Sequence, residues 1–304
     1  MAQSKPKVSA ALALIFLFSS SLQAQTTGKP LLLQEMTWTD VRDYLKTNDM
    51  VIIPLGSTEQ HGPHLPLGVD YYVALDTAKL ISAKTGVVVA PVVMAGYSFY
   101  HSGFSGTLSL KPETLEEVLY ETVEMLVKYG FRRIMFFNYH GGNNVVQEKA
   151  IYRINQTTEA TAMAIGYGGP IQKSEEDAES FDWHAGVEET SLILYLEPQL
   201  ARMERAEKPV IHFTPQMEEL RELAKKDPEL MNVWNSLFGV PAETKKGGAS
   251  REISSNGIWS LKDPKMAKPE IGEKAVKEMV ERAVKFIEAW KQAKKQKTGG
   301  NNGK

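Results

Sequence analysis

Met50-Val51-Ile52-Ile53-Pro54-Leu55-Gly56-Ser57-Thr58-Glu59-Gln60-His61-Gly62-Pro63-His64-Leu65-Pro66-Leu67-Gly68-Val69-Asp70 is the most informative stretch of this chain. Its first six residues are apolar and rich in β-branched side chains, so they read as a buried strand that ends at Gly56. The residues after Gly56 form a stiff loop at the end of a core strand, where α/β proteins place their ligand sites. Glu59 and His61 are two apart, so a locally extended backbone sends both side chains to one side. Asp70 stands just before a helix read over Tyr71–Ala83. A carboxylate, an imidazole and a second carboxylate on one loop suit a divalent metal such as Zn²⁺ or Mn²⁺. A polar turn with Asp70 capping the next helix would use the same residues.

Outward from this stretch the chain alternates strand and helix. A strand is expected over Val87–Pro91, a helix over Pro112–Tyr129 with proline at a favoured first-turn position, and a strand over Arg133–Phe137. A helix over Val145–Asn155 and a strand over Ala160–Ile165 come next. The alternation argues a mostly parallel sheet with helices on both faces. The stretch 201–248 breaks the rhythm: it is charged, holds Trp234 and Phe238, and ends in Lys245-Lys246-Gly247-Gly248. It reads either as a lid or oligomer-contact segment or as a surface excursion of two short helices. Ile271–Ala293 is an amphipathic closing helix suited to core packing, and residues 296–304 form a polar tail.

Two further segments carry metal-ligand chemistry. The strand over Arg133–Phe137 ends in Asn138-Tyr139-His140-Gly141-Gly142-Asn143-Asn144, where the two glycines allow a tight turn and close approach beside His140. Asn143 is placed to cap the next helix. His184-Ala185-Gly186-Val187-Glu188-Glu189-Thr190-Ser191 adds another histidine and two carboxylates at the start of an apolar helical run. Acidic residues in a first turn are also favoured by the helix dipole, so either glutamate could be there for that reason.

The three motifs, in this order and spacing, resemble the creatininase (creatinine amidohydrolase) family. Gly96–Leu110, Asn256-Gly257-Ile258-Trp259 and the closing helix extend the similarity over about residues 31–290. The resemblance implies a three-layer α/β/α fold, two divalent ions per chain, and hydrolysis of non-peptide C–N bonds in small, usually cyclic amides. It also implies a homo-oligomer, a hexamer by family resemblance. Glu59, His61, Asp70 and His140 match family metal ligands, with Asp70 bridging. Creatininase proper has a glutamate two residues after the motif histidine, where this chain has Gly142; members with H-G-G-N draw the carboxylate from the E-T-S motif, here Glu189. Glu188 then falls to a helix-end role or a place behind the ligands. The departure weakens creatinine itself as substrate, and the family also holds formamide hydrolases, a peptide-processing member and a hydrolase of keto-inositols.

Two cations bridged by Asp70 would lower the pKa of a shared water from about 15.7 towards about 7, and the hydroxide would attack an amide carbonyl whose developing oxyanion one metal holds. The leaving nitrogen then needs a proton, and His184 is the candidate general acid. His64 is read as orienting a ligand from behind, or as a plain loop histidine. Tyr100, His101 and Trp183 are expected to line the substrate pocket, Trp259 to fill core, and His212 has no assigned role. Gly166-Tyr167-Gly168-Gly169-Pro170 lacks the lysine and serine of a phosphate loop. Zn²⁺ and Mn²⁺ are the expected ions, with Fe²⁺ a third option. An ester-like or cyclic-ketone substrate would use the same site. A small-ligand binding protein is the non-enzymatic alternative, and it would purify without stoichiometric metal.

Composition fits one enzyme domain over 25–295. Residues 1–24 have a short basic start (Lys5, Lys7), the apolar run Ala10–Phe18 and Ser19-Ser20-Ser21-Leu22-Gln23-Ala24, which is the pattern of a secretory signal peptide cleaved after Ala24. Leu22 is an imperfect residue for such a site, and a retained anchor is the competing reading, although the apolar run is short for a span. Cleavage would leave 304 − 24 = 280 residues and take the formal charge from −2 to −4. A periplasmic or secreted location is expected, with no membrane contact after cleavage, no nucleic-acid partner and a small-molecule substrate. The chain has no cysteine, so lipoprotein processing, disulfides and thiolate ligands are excluded, and the metal site must be built from N and O.

Overall fold

A computed structural model describes residues 28–166 and 180–293. The readings of residues 1–24 as a signal peptide, of 167–170 within the glycine-rich run and of 296–304 as a tail lie outside the described residues. In chain order the helices are α1 (Trp38–Leu45), α2 (Val69–Thr85), α3 (Pro112–Tyr129), α4 (Asn144–Thr157), α5 (Val187–Leu196), α6 (Pro215–Ala224), α7 (Met231–Asn235), α8 (Ser250–Ile253) and α9 (Pro269–Lys291). The strands are β1 (Met50–Leu55), β2 (Val88–Val89), β3 (Arg133–Asn138), β4 (Thr161–Ile165), β5 (Asp182–His184) and β6 (Trp259–Ser260).

β2, β1, β3 and β4 form one parallel sheet in that order, with β1 against β3 in register from Met50↔Arg133 to Leu55↔Asn138. Successive β1 side chains enter opposite cores. Met50 and Ile52 pack with α2, α5 and α9, while Val51, Ile53 and Leu55 pack with α3 and α4. Both faces are covered, so β1 reads as a continuous apolar run and not as an alternation. The fold is the expected three-layer α/β/α arrangement.

This order places the site. From β1 the chain runs out through α2 to β2, then crosses back through α3 to β3 on the other side of β1. The crossover helices therefore leave β1 and β3 on opposite faces, and a crevice opens at the carboxyl ends of these two strands. Both metal-type motifs start there. Gly56 permits the turn: a Cβ on it would lie 2.8 Å from the backbone of Tyr71 at the start of α2.

Three local readings are corrected. α2 begins at Val69, so Asp70 sits inside its first turn and points into the site. Asn143 stands at the N-cap of α4 but makes no side-chain cap bond. It holds loops together, donating to the carbonyl of Gly56 and accepting from the N–H of Tyr97. α1 was not anticipated, although Thr37 and Asp40 form a reciprocal capping box at its start. In the 201–248 stretch, Trp234, Leu237 and Phe238 join Phe181, Met217, Ile253 and Trp259 in a separate aromatic-rich core beside the crevice.

Candidate metal centre

The loop after β1 delivers Glu59 and His61, the first turn of α2 delivers Asp70, the end of β3 delivers His140, and the first turn of α5 delivers Glu189. The two oxygens of Asp70 face different partners. Oδ2 lies 3.1 Å from His140 Nδ1, which is also 3.3 Å from Glu59 Oε2. Oδ1 lies 3.5 Å from His61 Nε2, which is also 3.6 Å from Glu189 Oε2. Two sets of N/O donors thus share one carboxylate. His184 Nδ1 flanks the second set, 3.8 Å from Glu189 Oε2 and 3.7 Å from Glu59 Oε1.

Outer hydrogen bonds decide where the histidine lone pairs point. His140 Nε2 lies 2.9 Å from the carbonyl of Tyr97, an acceptor only, so Nε2 carries the proton and Nδ1 presents its lone pair inward. His61 Nδ1 lies 3.1 Å from the carbonyl of Glu59, which leaves its Nε2 lone pair inward in the same way. His61 Nε2 and Asp70 Oδ2 are buried without any hydrogen-bond partner, the latter close to His140 but not aligned with it. Buried polar atoms are rarely left so. With the outward nitrogen of each ring committed to a carbonyl, the inward nitrogen is left for a cation that displaces its proton, so the residues fit a pair of divalent ions.

Protonation in the cation-free chain follows the crowding. Burial opposes charge on His61 and His140, but the facing carboxylates outweigh it and hold them at about 10 and about 9. Burial also works against ionised Asp70, yet His61 and His140 keep its carboxyl well below the usual range. Burial raises Glu59, and raises Glu189 to about 8 despite His61. His184 and His101 are pushed well below the ordinary histidine value, first by burial and then by neighbouring histidines.

The local backbone is shaped to this purpose. At Gly142 a Cβ would lie 2.1 Å from the Tyr97 carbonyl and 2.6 Å from His140 Nε2. No side chain fits there, so a carboxylate from position 142 is sterically shut out. Ala185 adopts φ 54°, a left-handed conformation that is uncommon for a residue with a Cβ, and its N–H donates to Glu189 Oε2 at 2.6 Å.

The cleft is lined by Tyr100, His101, Trp183, His184, Glu188 and Glu189 together with Glu59, Asp70 and His140. The structure therefore brings the expected ligands and the expected pocket residues to one place. Tyr100 stacks at 9° on the His140 ring, and Trp183 stacks on the buried Trp259. His64 lies behind the ligands, its Nε2 2.9 Å from Thr190 Oγ1, next to Glu189. His212 is exposed. Asp182 was missed by sequence reasoning: it lines the cleft and accepts from the N–H groups of Val187 and Glu188, fixing the start of α5. Ser57, which donates to Glu59 Oε2 at 2.8 Å, and Gln60 were missed too. Only their place inside the motif could have marked them.

A model of the creatinine amidohydrolase family matches residues 34–287. The 3-dehydro-scyllo-inosose hydrolase of Thermotoga maritima is 33% identical over 182 residues, 57% of this chain and 58% of that protein. The mycofactocin precursor peptide peptidase of Mycolicibacterium smegmatis is 38% identical over 162 residues, 49% of this chain and 58% of that protein. The chain thus spans 58% of the length of each of these curated relatives. A solved mutant creatininase of Zn-Zn type superposes with a TM-score of 0.65 at 24% identity, over 87% of this chain and all of that one. At that identity the likeness is one of fold.

Proposed function

The chain belongs to the creatininase family, and on that premise we propose that it is a metal-dependent hydrolase of a C–N bond in a small amide. The observation that carries this reading is the shared Asp70: two donor sets on its two oxygens, with His61 Nε2 and Asp70 Oδ2 left unpartnered. Glu59, Asp70 and His140 would hold one ion, and His61, Asp70 and Glu189 the other, the latter beside His184, whose ring closes a compact donor group with His61 and Glu189; Zn²⁺ suits such a set, with Mn²⁺ and Fe²⁺ the alternatives. When bound, a cation pair acidifies water and polarises a carbonyl.

The remaining work falls to the chain. Tyr100 and Trp183 wall the cleft and orient the substrate. Burial keeps the His184 ring neutral, and its Nε2 proton is held by the Gln60 carbonyl at 2.6 Å. Its Nδ1 therefore begins as an acceptor beside Glu59 and Glu189. It takes the proton of the attacking water and returns it to the departing nitrogen, so that amide plus water gives acid plus amine. Similarity to the inosose hydrolase favours a second reading, a cyclic ketone cleaved by the same residues. The N-terminal sequence supports export, with a mature chain starting at Gln25, and the family supports a homo-oligomer.

The test is elemental analysis of the purified protein, followed by chelation, metal return and a screen of lactams, formamides and keto-cyclitols. About two N/O-bound ions per chain and metal-restored turnover of an amide are expected. A protein that purifies without stoichiometric metal and melts unchanged with chelator overturns the reading.

A further inference from the structure

We propose that Gln60 is a positioning residue: it fixes which nitrogen of His101 carries the proton, and so turns an imidazole N–H, not a lone pair, towards Glu59 Oε1. The proposal rests on the reading of Glu59 as a ligand. Gln60 lies between Glu59 and His61 in sequence and is buried. Its amide is oriented from both ends, since Oε1 accepts from the N–H of Gly62 at 2.9 Å and Nε2 donates to the carbonyl of Gly257 at 3.0 Å. Flipping the amide would set donor against donor and acceptor against acceptor.

The second hydrogen on Nε2 has two ring nitrogens within reach, His101 Nδ1 at 3.2 Å and His184 Nε2 at 3.1 Å. His184 Nε2 is also 2.6 Å from the backbone carbonyl of Gln60, so it is itself a donor and cannot accept. The amide hydrogen therefore goes to His101 Nδ1. The His101 proton must then sit on Nε2, which faces Glu59 Oε1 at 3.4 Å.

This choice has a consequence for the centre. Glu59, His101 and His184 also bring donor atoms within 4.8 Å of one another and could by proximity hold a cation. A cation there would need the Nε2 lone pair of His101, which the Gln60 amide replaces with a proton. Glu59 Oε1 thereby faces an imidazole N–H at 3.4 Å, while Oε2, which also accepts from Ser57 Oγ, faces the set with Asp70 and His140. The Asn256-Gly257 turn takes part as well. Gly257 has φ +79°, and a Cβ on it would lie 1.9 Å from Gln60 Oε1, so only glycine allows the amide to seat.

The experiment is long-range ¹H–¹⁵N correlation on histidine-labelled full-length protein, metal-free and zinc-loaded. The chain has only 6 histidines, and His101→Gln assigns the His101 signals by their loss. Wild type is expected to show His101 protonated on Nε2. Gln60→Glu replaces the donor with an acceptor and should move that proton to Nδ1, while His184, held by a backbone carbonyl, keeps its own. Zinc affinity should fall by roughly 10–100-fold, as when an outer partner of a ligand is lost. A wild-type His101 carrying its proton on Nδ1, or an unchanged His101 in a folded Gln60→Glu protein, overturns the proposal. If that variant does not fold, the wild-type spectrum decides alone. Failure of the two-ion reading would appear separately, as absent metal, with the His101 spectrum still readable.

Discussion

Gly142→Ala perturbs the surroundings of His140 directly. The added methyl would start 2.1 Å from the Tyr97 carbonyl, 2.6 Å from His140 Nε2 and 2.8 Å from Tyr100 Oη. Ordinary contact begins near 3.4 Å, so the carbonyl or the turn must shift by 3.4 − 2.1 = 1.3 Å. That carbonyl is the acceptor that orients His140. Losing an outer partner of a metal-bound histidine costs about 10–100-fold in metal affinity, or about 1.4–2.8 kcal/mol. The overpacking itself costs a further ~1–3 kcal/mol of stability. Zinc titration against a competing chelator reads the first effect, and melting of the metal-free protein reads the second. Gly142→Glu, which installs the creatininase-type residue, should lose affinity as well, since no room exists for its side chain. Wild-type zinc affinity in Gly142→Ala would refute the role of the Tyr97 carbonyl in orienting His140, and a gain in Gly142→Glu would refute the assignment of Glu189 as the carboxylate.

Glu189→Gln should lower measured metal content while Glu188→Gln stays near wild type; the opposite pattern means the ligand is Glu188. His184→Asn should keep both metals and lose turnover by roughly 10²–10⁴-fold; if it purifies short of one ion, His184 is a ligand of the set it flanks and His101 is the next candidate for the acid. Burial, aided by His61, holds His64 at about 4 against its ordinary 6.5, so the unfolded chain takes up that proton first as pH falls. The stability that neutral His64 contributes is complete above about 6.5 and is lost towards about 4. The melting gap between wild type and His64→Gln should therefore shrink across that window, and a gap that does not move with pH sinks this account.

Most of the sheet was legible because its strands are covered on both faces, which leaves runs such as Met50–Leu55 with no polar residue. The long helices α3 and α9 were legible, α3 with proline at its first turn and α9 from its amphipathic pattern, although Pro269, where α9 begins, was not used. α1 was not, since no residue of it is buried and it shows little but its cap. β5 and β6, with three residues and two, are too short for any period to appear. The candidate ligands stand out in the sequence because each comes after an apolar strand or opens a helix, with a residue type that has few reasons to be there otherwise. Gln60, Ser57 and Asp182 could not be read in the same way. Their roles depend on which carbonyl or N–H lies opposite, and for Gln60 that is fixed by Gly257, far away along the chain.

The doubled acid shows why spacing alone could not finish the site. Glu188 and Glu189 are equal in sequence as first-turn carboxylates. The backbone separates them: Asp182 holds the N–H groups of Val187 and Glu188, and left-handed Ala185 turns its own N–H onto Glu189 Oε2. His64 fixes the same turn from behind through Thr190. These contacts aim Glu189 at His61, where a largely buried carboxylate, a second carboxylate on Asp70 and an imidazole nitrogen meet. Three like donors gathered in a buried space repel one another unless protons or cations lie between them. Protons can be supplied only by raising His61, His140 and Glu189 to about 10, 9 and 8. Divalent ions satisfy the same donors without that adjustment, and their binding at neutral pH should release protons. The energy spent in burying these groups is recovered when the ions bind, which ties the order of this turn to the chemistry of the centre.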